Sequence, residues 1–359
     1  MTDFAELLEQ NSYSKEDIVR ILNANGRDEE LLIQKAHNLR MSNVGNKVYM
    51  RGLIEISNIC GKNCYYCGIR KGNKNVNRYL LSDKEVLKAA EYAYENDFGS
   101  LVIQGGELES DAWTSRIENL LREIKNLSNN ELGITLSLGE QSEDTFRRWF
   151  DAGAHRYLLR FESSDHDLYH RIHPNDALHS YKRRFEAIDL LRKCGYQVGT
   201  GVMIGLPWQT ADVLAEDLLR MKELDIDMCG MGPYVEHHDT PLYKYKDELI
   251  PVEERFRLTI KMIATLRLLI NDINIAGTTA MQTIDPEGRE KAFKAGANVV
   301  MPNITPTQYK DSYLLYDNKP GTKDEKEDST EKVIQIIKDT GFEPGIGVWG
   351  DSPHFKKRD

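Results

Sequence analysis

Residues 52–68 read Gly-Leu-Ile-Glu-Ile-Ser-Asn-Ile-Cys-Gly-Lys-Asn-Cys-Tyr-Tyr-Cys-Gly. The first part, with Leu53, Ile54 and Ile56 around Glu55, is a short apolar, β-branched run of the kind that forms a buried strand. The second part sets Cys60, Cys64 and Cys67 on the loop leaving that strand. Seven further runs of similar character follow, at 100–104, 133–138, 156–161, 198–204, 226–231, 273–278 and 297–301. Stretches of 3.6-residue apolar period separate them. One opens with the capping box Ser82-Asp-Lys-Glu85, and others are expected over 110–126, 143–152, 182–193, 211–224, 252–271 and 289–295. Eight strands alternating with helices predict an α/β fold, a single (β/α)8 barrel of the triose-phosphate isomerase type. The alternative, a doubly wound open sheet, is disfavoured because no Gly-x-Gly-x-x-Gly follows the first strand. The first 45 residues read as a helical extension, with Ser14 as an N-cap and Ile18, Leu22, Leu31, Leu32 and Ala36 at helical spacing. The expected organisation is this extension over 1–45, the barrel over 46–316, and a C-terminal loop and helix packed on the barrel over 317–359. Within the last part, residues 319–330 are charged and expected to be mobile, before a helix at 331–338.

At 40% hydrophobic and 29% charged residues, the 359-residue chain is able to bury a large core. Its 57 acidic against 47 basic residues give a formal charge of −10, which argues against a sequence-independent nucleic-acid binder. No apolar run approaches the roughly 18 residues of a membrane span. The N-terminus, Met-Thr-Asp-Phe-Ala-Glu, lacks the basic and apolar regions of a signal peptide, so the expected location is the cytoplasm. Five cysteines is an odd number and three lie within eight residues, a pattern of metal or cluster ligands rather than disulfides. Cys194 and Cys229 stand alone and read as buried small apolar residues.

The spacing Cys60-x3-Cys64-x2-Cys67 supplies three thiolates and no obvious fourth, the next histidine downstream being His155. A structural zinc knuckle, the alternative reading, wants four closed ligands. Three thiolates suit a 4Fe–4S cluster with one iron left open. The motif resembles the signature of the radical S-adenosylmethionine (SAM) superfamily, including an aromatic residue, here Tyr66, before the third cysteine. The resemblance implies that the open iron chelates SAM through its amino and carboxylate groups. One electron then cleaves SAM to methionine and a 5′-deoxyadenosyl radical.

In such a barrel the active site lies at the carboxyl ends of the strands. The second strand ends in Gln104-Gly105-Gly106-Glu107, where two glycines permit close backbone approach and Glu107 accepts from an ammonium group. This run resembles the superfamily's Gly-Gly-Glu motif, which implies contact with the SAM amino group. The third strand ends at Ser137, another cofactor candidate. Arg160 and Glu162 alternate around Phe161 on one expected face, either as a buried ion pair or as SAM contacts, Glu162 to the ribose and Arg160 towards the substrate. Arg184 is placed to pair the SAM carboxylate. The run 199–207, Gly-Thr-Gly-Val-Met-Ile-Gly-Leu-Pro with Met203 inside it, is expected to lie against adenine. His237, His238 and Asp239 are expected to diverge and fix a loop, and His170 and His173 read as helix-end features. Thr278, Thr279, Met301 and Asn303 stand at the ends of the last two strands, with Tyr309 close enough to reach the same mouth.

Beyond the cysteines, the chain resembles the HydE family of FeFe-hydrogenase maturases. The matching runs are 55–58, 68–75, 135–140, 155–160, 205–210, 238–242, 278–281 and 296–303, spread over 45–316. Biotin synthase and methylornithine synthase share the fold and lineage. Membership implies a small organometallic iron substrate carrying CO, cyanide and cysteine, delivered by a HydG-like maturase and attacked at its cysteine sulfur. It further implies a ferredoxin or flavodoxin as reductant and a HydF-like scaffold as partner. Two departures matter. Residues 309–359 contain no cysteine, so the accessory cluster of some HydE members is expected to be absent. Only Cys194 and Cys229 remain for a sulfur-donating cluster, which disfavours the biotin synthase mechanism. The alternative enzyme reading is an amino-acid mutase of the methylornithine synthase type, and the non-enzyme alternative is a zinc-dependent scaffold.

Overall fold

The computed structural model describes residues 3–320 and 330–358. Three helices, Phe4–Leu8, Lys15–Leu22 and Arg27–Asn43, precede the first strand. The Ser14 hydroxyl accepts from the Asp17 N–H while the Asp17 carboxylate accepts from the Ser14 N–H. Losing such a cap costs about 1 kcal/mol. Ile18, Leu22, Leu32 and Ala36 are buried, and Arg27–Asn43 packs on the helix Val252–Leu269.

Eight strands follow: β1 (Lys47–Ser57), β2 (Ser100–Gly105), β3 (Gly133–Ser137), β4 (Arg156–Leu158), β5 (Gln197–Thr200), β6 (Met228–Cys229), β7 (Asn274–Ile275) and β8 (Val299–Val300). They run parallel in the order β8-β1-β2-β3-β4-β5-β6-β7. The sheet curls until β7 and β8 meet. There Ala276 bridges Val299, the Gly277 N–H donates to Val299 O at 2.9 Å, and the Asn298 N–H donates to Ile275 O at 2.8 Å. This is the expected α/β barrel architecture. A further strand, β9 (Glu343–Gly345), lies parallel to the start of β1. The register of β1 against β2 shifts between Glu55 and Ser57, where the chain turns into the cysteine loop.

The helices Asp83–Glu95, Asp111–Leu127, Glu143–Asp151, Tyr181–Lys193, Ala211–Glu223, Val252–Leu269, Gly288–Lys294 and Thr330–Asp339 form where the apolar period predicts them. The expected capping box of Ser82 and Glu85 opens the first of these. Strands β4 to β8 are shorter than expected. Past the ladder the chain bends into the rim, and Met203–Ile204 and Gly232–Pro233 form a separate two-stranded pair there. At this bend a Cβ on Gly201 would lie 2.0 Å from Gly230 O, so the two segments approach as only glycine allows. Two short helices, His166–Ile172 and Thr279–Ile284, fall outside the helical stretches expected from the apolar period. Of the charged segment 319–330, residues 321–329 lie outside the described residues. Lys319, at its start, is buried.

The amino-terminal end of the barrel is closed by residues 349–352. Arg51 and Asn274 both donate to Gly350 O, at 3.1 and 2.8 Å, and Arg156 pairs with Asp351 at 2.6 Å. Everything chemical is therefore left to the opposite end.

Candidate functional site

A cavity of about 330 Å3 opens at the carboxyl ends of the strands. Cys60, Cys64 and Cys67 all line it, together with Tyr66, Gly105, Gly106, Glu107, Ser137, Arg160, Glu162, Arg184 and Met203. Thr278, Thr279 and Met301 line the same cavity. Tyr309 does not: its hydroxyl donates to Glu85 at 2.9 Å, and its ring stacks on Tyr79 with centroids 4.8 Å apart. Asn303 is buried beneath the cavity, donating to Glu55 at 3.0 Å.

The exit of β2 is clamped onto the cysteine loop. The Gly106 N–H donates to Ser57 O at 2.9 Å, the Gly61 N–H to Glu107 O at 2.7 Å, and the Glu107 N–H to Cys60 Sγ at 3.3 Å. A Cβ on Gly106 would sit 2.3 Å from Ile59 O, so this seam admits only glycine. Burial pushes all three thiols up, Cys64 to about 12. Three soft donors facing one cavity, one of them holding a backbone N–H, fit an iron–sulfur cluster with an open iron. Tyr66 is fixed by its hydroxyl donating to His173 Nε2 at 3.2 Å, while His173 Nδ1–H donates to Tyr169 O at 2.9 Å. Burial, reinforced by Arg184, holds the His173 imidazole neutral. His173 also ends the helix His166–Ile172, the role expected of it.

Beside the cysteines lies a buried charge network that sequence reading only partly found. Lys62, inside the Cys60–Cys64 interval, contacts Glu107 Oε1 at 3.0 Å and Glu140 Oε2 at 2.9 Å. Arg184 Nε donates to Glu140 Oε1 at 2.6 Å and its Nη1 donates to Arg160 O at 2.6 Å. Its Nη2 stands 4.0 Å from Glu107 Oε2. Burial raises the Glu107 carboxyl despite Arg184 and Lys62. Burial acts the same way on Glu140, but there Arg184 and Lys62 prevail and hold it below its ordinary value. Arg160 Nη2 bonds Glu162 Oε2 at 2.9 Å, and burial raises the Glu162 carboxyl. The expected alternation does not place this pair, because β4 stops at Leu158 and Glu162 adopts φ 66°. A bend after the strand brings both groups to the cavity instead.

Further along the cavity, Glu55 from β1 forms a buried ion pair with Lys319, whose ammonium also donates to Tyr313 O at 2.9 Å. Glu55, Lys319, Tyr313 and Tyr316 all line the cavity, and none was singled out as a site residue from the sequence. His237, His238 and Asp239 do not diverge as expected, since one ligand atom from each lies within 4.8 Å of the others. They do fix a loop: the Asp239 N–H donates to His237 Nδ1 at 3.1 Å, and His238 pairs with Asp317 at 2.8 Å. Cys194 and Cys229 are buried, as expected.

A parallel barrel with three thiols on the loop after β1, and a Gly-Gly-Glu run clamped against them, defines a radical SAM enzyme. The radical SAM superfamily profile matches residues 54–221. The [FeFe] hydrogenase maturase subunit HydE of Thermotoga maritima is 39% identical over 349 residues, 97% of this chain and 96% of that protein. The 3-methylornithine synthase of Methanosarcina acetivorans is 26% identical over 343 residues, covering 94% and 92% of the two chains. The crystal structure of methylornithine synthase (PylB) shares the fold with a TM-score of 0.80 at 22% identity, covering 96% of this chain and 98% of that one. The chain belongs to the HydE family of radical SAM maturases.

Proposed function

We propose that the protein acts in FeFe-hydrogenase maturation, cleaving SAM reductively at a 4Fe–4S cluster held by Cys60, Cys64 and Cys67. The observation that carries this reading is the single cavity shared by the three thiols, the Glu107–Arg184 group and the Thr278–Thr279–Met301 end. With cluster and SAM bound, the site supplies a 5′-deoxyadenosyl radical. In this reading Glu107, Tyr66, Gly105 and Gly106 bound the amino end of SAM, and Nη2 of Arg184, which stands 4.0 Å from Glu107 Oε2, meets its carboxylate. Ser137 and Glu162 serve the ribose and Met203 the adenine. Arg160, Thr278, Thr279 and Met301 face the substrate, taken to be a small organometallic iron–cysteine species from a HydG-like maturase. Tyr309 is left a supporting role, since its hydroxyl is committed to Glu85. A ferredoxin or flavodoxin supplies the electron, and a HydF-like scaffold receives the product. No described helix is long and apolar enough to cross a membrane, in keeping with work in the cytoplasm. We assign residues 1–45 as the helical extension, 46–316 as the barrel and 317–359 as the C-terminal segment.

A second reading has one observation in its favour. Glu55 and Lys319 offer a carboxylate and an ammonium at the substrate end, the pair that an amino-acid mutase of the methylornithine synthase type would use. The two are satisfied by each other, and the greater identity to HydE favours the maturase. Anaerobic reconstitution followed by dithionite and SAM is the test. Formation of 5′-deoxyadenosine that rises with the HydG product and not with lysine supports the maturase. The reverse dependence would replace it with the mutase.

A further inference from the structure

Residues 56–82 contain five cations, Lys62, Arg70, Lys71, Lys74 and Arg78, and no carboxylate, in a chain whose formal charge is −10. Lys62 is buried in the site, and the other four lie on the segment that follows the third cysteine. Elsewhere surface cations commonly pair, as Arg116 does with Asp83, Arg147 and Lys193 with Glu143, and Lys291 with Asp285. Here the guanidinium of Arg78 is spent on the carbonyls of Asn58, Ile69, Arg70 and Asn73 at 2.6 to 3.0 Å. Arg70 donates to Asn63 Oδ1 and Asp239 O. Lys71 and Lys74 are exposed, and among the described residues neither has a carboxylate partner. The nearby carboxylate of Asp239 is occupied by Asn75 at 2.8 Å and His238 at 3.5 Å.

This surface is tied to the cluster ligands by short links. The Arg70 N–H donates to Cys67 O at 3.2 Å, and the Lys71 N–H to Lys62 O at 2.8 Å, inside the first cysteine interval. Two exposed apolar side chains belong to the same region: Ile59, next to Cys60, is 37% exposed, and Leu80, bridged to β1 at Ser57, is 44% exposed. Uncompensated cations beside exposed apolar side chains attract and orient an acidic partner.

We infer that the Arg70–Lys71–Lys74–Arg78 surface, with Ile59 and Leu80, is the docking face for an acidic one-electron carrier of the flavodoxin or ferredoxin class. Docked there, the carrier's redox centre faces the loop that holds the thiols. One electron passes to the cluster, so the carrier is oxidised by one electron and the cluster reduced by one, with no bond or proton moved. The inference rests on the radical SAM reading and adds where its electron enters.

The test measures binding of a purified flavodoxin and a purified 2[4Fe–4S] ferredoxin to the reconstituted protein, by calorimetry across ionic strength. Dithionite-driven SAM cleavage is measured in parallel. The double variant Lys71→Glu/Lys74→Glu should weaken binding of the carrier about tenfold or more at low salt, with the difference shrinking as salt screens the charges. Its dithionite-driven SAM cleavage and SAM affinity should match wild type. The control Lys338→Glu/Lys356→Glu changes the same number of exposed charges, on the helices Thr330–Asp339 and Pro353–Lys356, and should leave carrier binding unchanged. Equal binding by wild type and the loop variant, equal losses in loop and control variants, or no binding of either carrier to wild type would each overturn the inference. A wild-type protein unable to cleave SAM with dithionite would instead sink the radical SAM reading itself.

Discussion

Glu140 joins Lys62 and Arg184 through a fully buried carboxylate, so two cations lining the cavity beside the thiols share one anchor. Removing one partner of such a group strands the others, and breaking a buried pair costs about 3–5 kcal/mol. Glu140→Gln should therefore keep its iron content but bind SAM at least about tenfold more weakly, about 1.4 kcal/mol, as read by equilibrium dialysis. Unchanged affinity would mean that the network is scaffolding and not part of the SAM site. Glu107 was legible in the sequence because two glycines precede it in register after a strand. Glu140 and Lys62 were not, because each sits in irregular chain with no periodicity and meets the other only through the fold. Lys319 and Glu55 escaped for the same reason, lying far apart along the chain.

The seam between β2 and the cysteine loop is as exacting as any side chain. With Ile59 O 2.3 Å from where a Gly106 Cβ would stand, Gly106→Ala must push the cysteine loop away. We expect iron binding after reconstitution to fall several-fold while far-UV circular dichroism stays that of the folded barrel. Full iron occupancy in this variant would show that the loop has slack. The helices were legible because a long amphipathic period survives at either end of a strand–helix unit. The later strands were legible only as longer apolar runs, of which the ladder takes two to four residues each. Past Leu158 and Thr200 the apolar run continues, but bends and left-handed residues such as Glu162 replace the ladder. A run of hydrophobic residues does not distinguish a strand from the extended chain that follows it.

Across the barrel from the site, the C-terminal segment carries a pH dependence. Burial, with Arg156 alongside, brings the His155 imidazole down to about 4, and its ring lies 4.5 Å from that of Trp349. Burial alone would raise Asp351, but His155 and Arg156 hold it well below the ordinary carboxylate range. The unfolded chain protonates His155 near pH 6.5 while the folded chain waits until about 4, so acid favours unfolding across that window. From pH 7 to pH 5 the loss is about 2 kcal/mol. Protonating Asp351 removes a second contribution only below the ordinary carboxylate pKa. Wild type should lose melting temperature between pH 7 and pH 5, and His155→Gln should lose less. Parallel pH profiles would contradict this assignment. Asp351→Asn should cost about 3 kcal/mol in urea denaturation at pH 7 by leaving the buried Arg156 without its counter-ion, and should leave iron binding intact.

All of this depends on Cys60, Cys64 and Cys67 holding a cluster that binds SAM. Electron paramagnetic resonance of the anaerobically reconstituted, dithionite-reduced protein, recorded with and without SAM, reads that property. Wild type is predicted to give a reduced 4Fe–4S signal that shifts on adding SAM, and Cys64→Ala to lose it. A colourless wild-type protein holding one zinc and indifferent to SAM would contradict the account.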